Sequence, residues 1–186
     1  MTAPTGSRIV HDWFPQPLPT NVVLGERSWL YSAYAFVHCR SRRPVAVRIG
    51  ADSGVYHGSF FDLGPDGEVD IGAFTTVVGA IFATDGRIAI GDHVMIAHEV
   101  VLADGFAATP DAPALGRPAV ASRSEAPVIE IGSNAWIGMR ATLLAGARIG
   151  RDAIVAAGAV VDFEVPAGAI VAGVPARIVG SCTARP

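Results

Sequence analysis

Cysteine is almost missing from this sequence: of 186 residues only Cys39 and Cys182 carry a thiol. Two such distant thiols make no disulfide framework and lack metal-ligand spacing, so both read as reduced side chains without a chemical task. Charge is scarce as well. At 17% charged residues and a net charge of −3, the chain has no global basic field for DNA or RNA. Its one basic cluster, RSRRP at Arg40 to Pro44, reads as a solvated turn. Long apolar runs are absent too. Although 51% of the residues are hydrophobic, Gly, Asp or Arg interrupts the aliphatics every few positions, and no run approaches the ~18–20 residues needed to span a bilayer. The opening MTAPTGSRIVHDWFPQPLPT places prolines and polar groups where a secretory signal needs a basic start and an apolar stretch. A cytoplasmic protein of one domain, with neither nucleic acid nor membrane as partner, is the expectation.

What the sequence has in abundance is branched aliphatic residues and glycine, the latter at 21 positions, and they are ordered. Ile131, Ile137, Leu143, Ile149, Val155 and Val161 fall six apart, with Gly132, Gly138 and Gly150 directly after three of them. The period returns upstream as Ile49, Val55 and Phe61, as Ile71, Val77 and Ala83, and as Ile90, Ile96 and Leu102. Six fits neither the 3.6-residue helix nor a long strand alternating at 2.0, and the many glycines and β-branched residues oppose a helix further. Short strands joined by tight turns do fit. If three hexapeptides close one triangular coil, each aliphatic points inward and stacks on the residue eighteen positions on, Ile131 on Ile149 and Ile137 on Val155. At ~1.5–3 kcal/mol per fully buried aliphatic side chain, that column drives folding. The chain then divides into an N-terminal arm (1–20), a β-helix (21–165) with a long loop at about 103–127, and a C-terminal tail (166–186). The Pro-rich arm is expected to lie over the open end of the solenoid or over a neighbour, and capping that end would cover unpaired strand edges that invite aggregation.

The stretch Ile131 to Gly180 resembles the C-terminal half of the hexapeptide-repeat acyltransferases, the family of galactoside, maltose and streptogramin acetyltransferases. The likeness lies in WIG after a long loop, the paired IG turns, the AAGAVV rung and the closing AGVPAR at Ala172 to Arg177. It implies an all-β, left-handed parallel β-helix, a handedness that period alone does not supply, since parallel crossovers are generally right-handed. It also implies a homotrimer that uses acetyl-CoA or another acyl-CoA as co-substrate and acylates a small hydroxyl- or amine-bearing acceptor. Position by position, the resemblance puts Met139, Ala157, Asp162 and Arg177 on the coenzyme wall and Trp136 beside the acceptor. Where the family has Thr-Lys-Asp, this chain has Asp162, Phe163 and Glu164, which removes a cation from the phosphate side.

The family's loop histidine, its general base, falls at Ala107, and its acceptor-orienting asparagine falls at Val77. A base matters because an alcohol is a poor nucleophile until its proton is removed, and losing one typically costs ~10²–10⁴ in rate. Two substitutes offer themselves: His98, in IAHEVV with Glu99 next to it, and Asp104, the loop carboxylate next to the last regular rung. His57 holds the equivalent hexapeptide place to His98 and is a substrate-side candidate. Two other readings stay open. One is a noncatalytic trimeric scaffold. The other is a zinc enzyme like the γ-class carbonic anhydrases, which needs three converging ligands; here the second histidine of their phrase is Ala103, and His93 occupies a different hexapeptide place from His98. No metal ligands are assigned.

Overall fold

The computed structural model describes residues 9–104 and 128–182. Among them the only helix is a short 3₁₀ turn, Ala33–Phe36. The remainder is a left-handed parallel β-helix of about six turns. Three parallel sheets of seven, eight and five strands form its faces, the eighth strand of the second being antiparallel. No helix of the described residues is long and apolar enough to cross a membrane.

The inward column follows the hexapeptide period where that period is unbroken. Ile131 pairs with Ile149, Ile137 with Val155 and Leu143 with Val161, and all six are buried. Upstream the coils are longer, so Ile49 lies on Ile71 and Val55 on Val77. The long loop then makes Ile90 pair with Ile131, and Leu102 with Leu143. In one place the period misleads. The third inward residue after Ile71 and Val77 is Phe82, not Ala83. Phe82 pairs with Phe61 and Leu102. The turn before it is one residue short: Gly79 takes the left-handed conformation (φ +62°) directly after Val78, a place that Glu99 and Arg140 reach one residue later in their coils. Phe36, Phe61 and Phe82 consequently stack face to face, with ring centroids 4.9 and 4.7 Å apart. The 3₁₀ turn thus supplies the third side of the first coil.

Glycine after the inward aliphatic is a matter of space between coils. A Cβ on Gly132 would lie 2.6 Å from the backbone nitrogen of Arg151 in the next coil, closer than real Cβ contacts permit. The same closeness lets the Gly132 N–H donate to the Ile149 carbonyl at 2.7 Å, and bonds of this kind satisfy the backbone from coil to coil.

An arm lies over one end of the solenoid and a hairpin runs along one sheet edge at the other. At the N-terminal end the arm lies against the first coil: Ile9 and Leu18 are buried, and His11 stacks on Trp29 while its Nε2 lies 2.9 Å from the Leu30 carbonyl. Asp12 pins the arm by accepting from Ser32 Oγ, the Ala33 N–H and the Phe14 N–H at 2.6–2.9 Å. At the other end Ala176–Ser181 folds back antiparallel on Ala169–Gly173.

Two carboxylates give opposite pH signatures. Burial pushes the Asp12 carboxyl up, but its hydrogen bonds from Ala33, Phe14 and Ser32 outweigh burial and hold it below the usual carboxylate range. Its contribution is therefore present at neutral pH and fades as pH falls through that lowered value. Asp12→Ala should cost about 1–3 kcal/mol at pH 7, and thermal melts of variant and parent should converge at acid pH. Asp85 is raised, first by burial and then by the neighbouring Asp104, so its ionisation opposes folding, and stability on its account is lost as pH rises through the raised value. Asp85→Asn should raise the melting temperature at pH 7, with the gain disappearing below the ordinary carboxylate range.

Candidate functional site

Stacking turns each position of the hexapeptide into a column along the solenoid. On the second face the outward residues Thr76, Met95, Trp136 and Ile154 follow one another in register. Met95 and Trp136 are about half exposed. Past this face lies the corner leading to the third, where His57, His98, Met139 and Ala157 occupy the same place in their coils. Backbone bonds tie the neighbours together: the Arg140 N–H donates to the His98 carbonyl at 2.9 Å and the Gly158 N–H to the Met139 carbonyl at 2.9 Å. All four side chains are exposed. Trp136, His98, Met139 and Ala157 therefore share one edge. The coil between His57 and His98 has no counterpart, because its turn is the shortened one at Gly79.

The acidic neighbour of His98 is otherwise engaged. Glu99 and Arg140 are the left-handed residues of successive turns (φ +59° in both), and Arg140 Nε donates to Glu99 Oε2 at 2.6 Å. That bond holds the Glu99 carboxyl below its usual range. Glu99 is thus committed to Arg140, and the His98 ring makes no hydrogen bond to a described residue. Sequence reasoning missed Arg140, although the shared turn place of the two residues could have paired them.

Asp104 stands at a different corner, between the third and first faces. Its Oδ2 accepts from Thr84 Oγ1 at 2.5 Å and from the N–H groups of Asp85 and Gly86 at 3.0 Å, so it secures the turn of the preceding coil. Asp162 lies at this second corner too, its carbonyl over Gly146. Arg177 is on the C-terminal hairpin opposite Ala172, exposed, and Nη1 donates to the Ala176 carbonyl at 2.7 Å. Of the four proposed coenzyme residues, only Met139 and Ala157 share a corner.

Val77, where the family's asparagine falls, is a fully buried member of the inward column. Ala107 lies outside the described residues. His93 is the left-handed residue of the opposite corner and stacks on Phe74 at 4.9 Å, so it and His98 belong to different edges. His57 packs edge-on against Tyr31 at 5.0 Å, on the wall of a cavity of about 210 Å³ that no residue pattern announces.

Residues 129–162 match the bacterial transferase hexapeptide family (six repeats). Over 56 residues the chain is 54% identical to the 2,3,4,5-tetrahydropyridine-2,6-dicarboxylate N-acetyltransferase of Staphylococcus aureus, covering 30% of this chain and 23% of that enzyme. The match thus spans less than a quarter of that relative's length. In three dimensions the chain is similar to a hexapeptide transferase family protein from Anaplasma phagocytophilum, with TM-score 0.56 and 20% identity over 88% of this chain and 80% of the other. It is similar also to AntD, an N-acyltransferase from Bacillus cereus whose structure contains dTDP and 3-hydroxybutyryl-CoA, with TM-score 0.56 and 19% identity over 87% and 80%. A maltose O-acetyltransferase from Clostridium difficile 630 gives TM-score 0.50 and 21% identity over 84% and 67%. At such identities the likeness is one of fold. With the repeat matched in sequence and the solenoid matched in space, the chain is a hexapeptide-repeat β-helix, similar to the acyltransferases built on that fold.

Proposed function

We propose that this protein transfers an acyl group from an acyl-CoA to the hydroxyl or amine of a small acceptor, at the edge occupied by His98, Trp136, Met139 and Ala157. The observation that carries the reading is the His98 imidazole, exposed and without a hydrogen-bonding partner among the described residues, on the same corner as Met139 and Ala157. An unpartnered imidazole can take the acceptor's proton as the acceptor oxygen or nitrogen bonds to the thioester carbonyl carbon. It can return that proton to the departing thiolate when the carbon–sulfur bond breaks. Asp104, bound up in its turn, serves the scaffold in this reading.

The edge fits a long, thin co-substrate. Ala157 and Gly158 give it a smooth stretch, a Cβ on Gly158 meeting nothing within 4 Å, and Gly158 holds the left-handed turn (φ +69°). Arg177 is the cation that fits the phosphate end, since its guanidinium is exposed and bonded only to its neighbour's carbonyl. Such a charge-assisted contact is a strong one where the phosphate is anchored. Trp136 and Met95 expose apolar surface along the same face, which a homotrimer would cover with a neighbouring subunit. The N-acetyltransferase relative and the acyl-CoA in the AntD structure support the choice of co-substrate.

Calorimetry with acetyl-CoA should give micromolar binding, weakened at least fivefold in Arg177→Ala. His98→Ala should lower turnover at least tenfold with an unchanged melting temperature. Turnover equal to the parent's would remove His98 from the chemistry. Absence of binding to acetyl and longer acyl-CoAs alike would leave a noncatalytic scaffold as the better reading.

A further inference from the structure

The cavity beside His57 belongs to the opposite end of the solenoid from the WIG and AGVPAR signatures, between the arm and the first two coils. Six rings line it, those of Trp13, Tyr31, Tyr34, Tyr56, His57 and Phe60, and no Asp, Glu, Lys or Arg does. Tyr34 is their centre, 5.5 Å from Trp13 and 5.6 Å from Phe60 by ring centroids. Tyr56 folds back over its own strand: a Cβ on Gly54 would lie 2.5 Å from the Tyr56 ring, so the bare glycine makes the seat for that wall. Wall and seat are local features of these coils with no counterpart among the columns downstream.

A second observation points the same way. Ser59, which lines this cavity, is 4% exposed, and its hydroxyl is the one buried side-chain polar group among the described residues without a hydrogen-bond partner. A buried hydroxyl left unpaired is costly and calls for a partner. The cavity's other serine is already used: Ser32 Oγ donates to Asp12 at 2.7 Å and accepts from the Tyr34 N–H at 3.1 Å.

We infer that this cavity binds a small uncharged molecule built on one aromatic ring and carrying a hydroxyl or amine, whose ring packs among the tyrosines while its polar group pairs with Ser59, the serine hydroxyl, closed to water in the free protein, turning toward it. The size admits one ring. A charged ligand would find no counter-charge in the lining. Most of the lining is ring and aliphatic surface, which favours a flat ring over a sugar. Aromatic rings of this kind prefer edge-to-face or offset packing, the geometry already seen between Tyr34 and Phe60 and between Tyr31 and His57. The inference does not depend on acyl transfer, because the cavity lies away from Met139 and Ala157.

The test is calorimetric titration of the full chain, without any acyl-CoA, using p-cresol, toluene and methyl β-glucoside as probes. The expected result is p-cresol binding at least tenfold tighter than toluene, with the glucoside not detected. Ser59→Ala should bring p-cresol down to the level of toluene. Gly54→Ala, which displaces Tyr56, should weaken both at least fivefold while melting curves confirm folding. The inference is overturned if neither aromatic probe binds, if p-cresol and toluene bind alike, or if the glucoside binds best. It is overturned equally if p-cresol binds to Ser59→Ala as to the parent.

Discussion

Successive coils approach so closely at the corner between the first and second faces that, from Gly25 to Gly150, the residue after the inward aliphatic has no room for a side chain. At Gly132 a single added carbon would meet the backbone nitrogen of Arg151 at 2.6 Å. That approach is what brings the strands within hydrogen-bonding distance and seats each aliphatic on the one below. The inward column, the backbone ladder and the glycine pattern are therefore one constraint seen from three sides.

Because the coils are held in register, each turn position becomes a ladder on the surface, and the chain uses these ladders in pairs. At the corner between the first and second faces the left-handed residues join two by two: Arg27 with Asp52 through an ion pair at 2.6 Å, Phe74 with His93 by stacking, Asn134 with Asp152 at 2.6 Å. At the next corner Glu99 and Arg140 do the same. These exposed ion pairs contribute little to stability. At the second of these corners the Glu99 carboxylate is hydrogen-bonded to Arg140 and not to the His98 ring beside it. Asp104 is engaged likewise, in its case by the N–H groups of the turn it secures.

The two ends of the solenoid differ in character for a related reason. The C-terminal coils follow the six-residue period, and the last of them has small residues at the corner, Ala157 and Gly158. The first coils are longer and carry rings instead. The Phe36, Phe61 and Phe82 stack fills the wider core there, and the arm pinned by Asp12 brings Trp13 against Tyr34. Cap and cavity are thus built from the same contacts.

Much of the fold was legible in the residues. The pairings of Ile131 with Ile149 and of Ile137 with Val155 follow from spacing alone, because eighteen residues close a coil when every turn has its standard length. Ala83 was misplaced where a turn is one residue short, since periodicity cannot register a deletion that a glycine absorbs. The site was less legible. That His98, Met139 and Ala157 share an edge can be read from their hexapeptide places, but that Arg140 takes Glu99, or that Asp104 belongs to a turn, cannot. By itself, then, the sequence determined the repeat, the inward column and the solenoid, which depend only on local spacing and burial. Which polar groups remain unpaired, and that an arm and two coils border an open, ring-lined cavity, was decided in three dimensions. Those outcomes rest on contacts between coils whose lengths vary, as where Ile90 meets Ile131 across the long loop.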